Sequence, residues 1–203
     1  LWFDAGLQAV PATLVYLGAK PGERLDVQKM LKQQRLFWEK NKPFLVGSDP
    51  RLMNLRRLQA QFRMQISRVA NDLGVFCLHQ KAESDAHTAF DFALEIDANN
   101  LPAWVNHAAI QIAHSPTNAV ASVEQCVERV VAVMNKMPSG TSLKDAERHY
   151  GSLYLPAVEH LASLCIGRTS LNASPKASAL IENMREYVQE AMLANAQRNV
   201  SPH

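Results

Sequence analysis

His107 and His114 stand seven positions apart in one helical stretch, which puts both imidazoles on one face, where a metal ion could be shared. No carboxylate completes such a set at the right step. Solvated or packed histidines are therefore the favoured reading, and no metal or cofactor is expected. Asp91 and Glu95 are four apart, like the solvated side of an ordinary helix. Asp85, Asp97, Glu124, Glu128, Asp145 and Glu147 are scattered, and nothing around them supports paired acid–base catalysis. Glu159-His160 and Arg148-His149-Tyr150 are isolated. The chain has no phosphate-binding loop, dinucleotide fingerprint, zinc-protease helix motif or nucleophile elbow, so no catalytic residue is assigned. Arg51, Arg56, Arg57, Arg63 and Arg68 form a basic run, with Arg56, Arg63 and Arg68 near one stripe. It could meet an acidic partner or lipid headgroups. Lys+Arg number 21 against 19 Asp+Glu, a net charge of +2, which favours a solvated face and gives no footprint for nucleic acid.

Such side chains need a scaffold, and 203 residues with 47% hydrophobic content suffice for one domain or a short helical array. Cys77, Cys126 and Cys165 lie far apart among apolar neighbours and read as buried free thiols, which leans weakly towards a reducing compartment. The chain begins at Leu1 rather than Met and reads as a fragment or processed form. Leu1–Gly18 is apolar except for Asp4 and is interrupted by Pro11. A packed N-terminal helix pair is favoured; the sharper reading is a segment that follows or touches a membrane.

Helical periodicity dominates the rest. Glu23–Asn41 is amphipathic, with Leu25, Val27, Met30, Leu31, Phe37 and Trp38 on its apolar side, and Lys42-Pro43 closes it. Asp49-Pro50 is a helix start. From Arg51 to about Lys81 apolar residues recur at three- and four-residue steps without a breaker before Gly74, predicting one long helix. Ser84 caps a helix over Asp85–Ile96, Asp97–Asn100 turns, and Pro102 opens a helix to Ala113. Asn118–Lys136 is helical. Leu143–Ile166 is helical with a disturbance at Gly151 to Pro156, and Ser174-Pro175 restarts a helix to about Arg198. No segment alternates like a strand, so the chain reads as all-α.

Leu73-Gly74, Ala86, Phe90, Ala93 and the closing Asp97-Ala98-Asn99-Asn100 carry a more specific pattern. Gly74, Ala86 and Ala93 let two helices approach, while Leu73, Phe90 and Leu94 fill the space between them. One period later Trp104 and Ala108 take the aromatic and small positions. This spacing resembles the tetratricopeptide repeat (TPR), a helical hairpin with a period of about 34 residues. Ala98 stands where the family usually has Pro, and Ala119, Val123 and Cys126 align only with a one-residue shift. The resemblance thus covers one good and one degenerate repeat over 67–137.

The resemblance implies a right-handed superhelix of antiparallel helix pairs with an N-terminal helical extension, divided as 1–66 and 67–203. Its concave face, lined by first helices, would bind partners. Carried onto this sequence, that face holds Arg68, Asn71, Val75, Leu78 and His79, then Val105, Asn106, Ala109 and Ile112. An Asn pair there can hold an extended peptide backbone, since each amide offers donors and an acceptor. The family's clamp for chaperone C-termini is not expected: Asn106 matches its middle Asn, but Asn71 replaces the first Lys and Val75 the first Asn. The expected function is a non-catalytic scaffold binding a protein or peptide, cytoplasmic or periplasmic in a bacterium. The alternative is the soluble C-terminal tail of a bacterial membrane protein, such as a glycan-handling enzyme, motivated by the apolar start.

Overall fold

A computed structural model describes residues 8–12, 15–20, 25–47, 54–114, 119–137, 141–166 and 175–200. The architecture is all-α, preceded by one small hairpin. Strands β1 (Gln8–Ala12) and β2 (Val15–Ala19) pair antiparallel with Pro11 opposite Tyr16. Eight helices follow among the described residues: α1 (Val27–Val46), α2 (Arg56–His79), α3 (Glu83–Ile96), α4 (Leu101–His114), α5 (Ala119–Met134), α6 (Leu143–Tyr150), α7 (Leu155–Ile166) and α8 (Pro175–Val200). None is long and apolar enough to cross a membrane.

Over the described residues 8–12 and 15–18 the hairpin corrects the helix pair expected for Leu1–Gly18, the rest of which lies outside the described residues. A short continuous apolar run does not distinguish strand from buried helix, and Pro11 is tolerated because a two-stranded sheet consists only of edges. Helix α1 also departs from expectation. Asp26 caps it, accepting from Lys29 N–H at 2.9 Å, and it continues through Pro43 to Val46. Trp38 drives that continuation by packing with Leu45, Ile66, Ala70 and Phe92 in one buried cluster. The boundary expected at residue 66 falls inside α2 and inside this cluster. The start expected at Asp49-Pro50 lies outside the described residues.

Helices α2 and α3 form the tightest pair. Gly74 is what allows it, because a Cβ there would lie 2.4 Å from the buried Phe90 ring. Ala70, Ala86, Ala89 and Ala93, all without exposed surface, extend the close approach. Helix α3 begins at Glu83 behind Ala82, and Ser84 lies inside it rather than capping it. Asn100 caps α4, its Oδ1 accepting from Ala103 N–H at 2.9 Å. A second cluster joins α4 and α5 to α6, α7 and α8 through Leu101, Val105, Val130, Leu143, Leu161 and Leu180. Cys77 is a buried free thiol, which burial pushes up to about 12, and Cys165 is buried as well; the Cys126 side chain lies outside the described residues.

Candidate functional site

The disturbance at Gly151 to Pro156 is a complete break. Helix α6 ends at Tyr150, residues 151–154 adopt no regular secondary structure, and α7 begins at Leu155. Gly151 makes the break possible. Its φ of +104° with ψ of 176° is a conformation essentially reserved for glycine. A Cβ there would also lie 2.6 Å from Asp72 Oδ1 and 2.8 Å from Asn71 Nδ2. The segment is thus laid directly on α2.

Side chains from α2 and α4 hold its backbone. Asn71 Nδ2 donates to Ser152 O at 2.9 Å, and Asn106 Nδ2 donates to the same oxygen at 3.0 Å. Asn106 Oδ1 accepts from Tyr154 N–H at 2.8 Å, and Asn106 Nδ2 also donates to Asn71 Oδ1 at 3.0 Å. Asp72 Oδ1 accepts from Ser152 N–H. The remaining two amides bond within the chain's own turn: Gly151 N–H to Glu147 O at 3.1 Å and Leu153 N–H to Glu147 Oε1 at 3.0 Å. All four N–H groups of this non-helical stretch are therefore satisfied, as a buried backbone requires. Just upstream, Asn100 Nδ2 donates to Tyr150 O at 3.1 Å and Arg68 Nη1 to Arg148 O at 3.1 Å.

The charge beneath the segment is unusual. Asp72 is almost fully enclosed, and burial raises its pKa despite the hydrogen bonds from Tyr16 and Ser152 and the charge of Arg68. Tyr16 Oη, brought in by β2, donates to Asp72 Oδ2, and burial together with that carboxylate raises the phenol's pKa. Tyr187 on α8 does the equivalent for Glu147, donating to Oε1 at 2.8 Å.

Of the nine residues expected on an open binding face, Asn71, Val105 and Asn106 are fully buried, and Val75 is buried in the core between α2 and α3. Asn71, Asn106 and the half-buried Arg68 contact the chain's own backbone rather than an open groove. Leu78 and Ala109 line a cavity of about 230 Å³ with Glu83, Ile110, Tyr154, Pro156, Ala157 and His160. His79 is exposed and meets the Tyr154 ring edge-on at 5.2 Å. Ile112 lies on α4, but its side chain is outside the described residues. Nothing in the sequence pattern singles out Asp72, Ser152 or Tyr154, and Glu147 reads only as one of several scattered acids. Gly151, interrupting an apolar helical pattern, was the available signal. Three other side chains, His87, Asp91 and His107, stand close enough to share a metal ion between α3 and α4. Comparison with protein-family models, curated proteins and solved structures finds no match.

Proposed function

We propose that the chain is a non-catalytic interaction module of tetratricopeptide type, in which α2–α3 and α4–α5 are successive hairpins and α2 and α4 line the recognition face. The observation that carries this reading is the asparagine pair. One amide from each of α2 and α4 converges on a single carbonyl of the non-helical 151–154 segment, a chemistry suited to any peptide backbone. The chain's own 151–154 segment takes that position. It acts as a built-in ligand that shapes the face and leaves the apolar cleft beside Tyr154 for a partner. The occupant is a protein segment that inserts one apolar side chain between Leu78, Ala109, Ile110 and Tyr154, with Glu83 and His160 at the rim. A hydrophobic anchor in such a pocket typically dominates peptide affinity.

Peptide-display selection against the intact chain tests this. Enriched peptides should share an apolar anchor and bind at least about tenfold more weakly to Pro156→Glu, which charges the exposed rim, and to Ala109→Met, which fills the floor. Undiminished binding by both variants would refute the site.

A further inference from the structure

His87 and Asp91 lie one turn apart on α3, and His107 reaches them from α4. One ligand atom from each falls within 4.8 Å of the others. The carboxylate sits between the imidazoles: His87 Nδ1 is 3.0 Å from Asp91 Oδ2, and His107 Nε2 is 3.0 Å from Asp91 Oδ1. The rings tilt by 57° with centroids 4.6 Å apart. His107 is only 7% exposed, and its Nε2 is buried without a partner in hydrogen-bond geometry although Asp91 is near. A buried ring nitrogen ordinarily has a directed partner. One that instead faces a carboxylate and a second imidazole is placed as a ligand would be.

We propose that His87, Asp91 and His107 form a binding site for a divalent transition metal of the zinc class. Three observations narrow the ion. Two nitrogens and one oxygen suit zinc and its neighbours and not calcium or magnesium, which prefer all-oxygen shells. Ligands about 2.0–2.1 Å from a tetrahedral ion are about 3.3 Å apart; each imidazole nitrogen is already 3.0 Å from one oxygen of Asp91, Oδ2 for His87 and Oδ1 for His107, and side-chain rotation that brings both nitrogens to a single oxygen completes the spacing. His87 and Asp91 are 40% and 54% exposed, giving the ion a route in and leaving room for water as a fourth ligand. Arg129, stacked over Trp104 with its guanidinium 5.4 Å from the ring centroid, opposes the ion by its charge. A bound ion would tie α3 to α4, and so one hairpin to the next.

The test uses the tag-free chain titrated with cobalt(II), followed by its visible absorption, and then with zinc(II) in competition. One equivalent should bind and be displaced by zinc. His87→Gln and Asp91→Asn, both at partly exposed positions, should each weaken binding at least about tenfold. Arg129→Gln should tighten it, and His149→Gln at an exposed site elsewhere should leave it unchanged. Absence of stoichiometric binding, or equal affinity in wild type, His87→Gln and Asp91→Asn, would overturn the proposal.

Discussion

Replacing Asn106 with Ala should cost about 2–4 kcal/mol of folding stability. The change removes three hydrogen bonds, to Ser152 O, Asn71 Oδ1 and Tyr154 N–H, at 3.0, 3.0 and 2.8 Å. Each contributes roughly 0.5–1.5 kcal/mol net, and a stranded buried partner costs about 1–3 kcal/mol. Water can reach Tyr154, which is half-buried, and Ser152 O keeps its bond from Asn71, so the total stays below the sum of the worst cases. Asn71→Ala should cost a similar amount. The two amides bond to each other and share one acceptor, so the double variant should fall short of additivity by about 1 kcal/mol. Urea unfolding of the four proteins, with constant m-values, measures the cycle. Single losses below about 0.5 kcal/mol, or strict additivity, would refute the idea that these amides together hold the 151–154 backbone.

Three further outcomes follow from the same geometry. Gly151→Ala should destabilise by about 3 kcal/mol in urea melts, combining a forbidden φ with the clash against Asp72 and Asn71, while Ser152→Ala, with its side chain exposed, should stay within about 0.5 kcal/mol. Gly74→Ala should cost about 1–2 kcal/mol, because overpacking against Phe90 outweighs the roughly 1 kcal/mol that Ala gains in a helix; Phe90→Leu should recover part of that loss in the double variant. Asp72→Asn should gain stability relative to wild type as pH rises. The folded pKa of Asp72 is raised, so the folded state binds the extra proton. The stabilisation that comes with it is complete below the unfolded value of 3.8 and fades as pH climbs through the folded value. Denaturation midpoints of both proteins across that window measure the divergence.

Helix placement was legible because it rests on local periodicity. Ile66, Val69 and Leu73 give the buried face of α2 and the run from Val127 to Met134 that of α5, whereas Leu58 and Phe62, in the same α2 pattern, stay exposed. Gly74 could be read as a close-approach position because its partner Phe90 lies in the next helix of the same hairpin. The hairpin at Gln8–Ala19 was not legible, since its short apolar strands carry no polar alternation. The fate of the asparagine pair was hidden for another reason. The groups that Asn71 and Asn106 bind lie 81 and 46–48 residues away, and backbone atoms leave no mark on side-chain pattern. The His87–Asp91–His107 cluster escaped similarly. Periodicity within one helix pairs His107 only with His114, whereas packing of α3 on α4 supplies the second imidazole and the carboxylate.

Amide hydrogen exchange resolved at Ser152 and Tyr154 tests the central claim most directly. Both amides lie between helices and bond only to the side chains of Asp72 and Asn106. If the segment is a built-in ligand on the α2–α4 face, they should exchange on the order of a thousandfold more slowly than an open loop and in step with the amides of α2. Exchange at open-loop rates while α2 remains protected would contradict it.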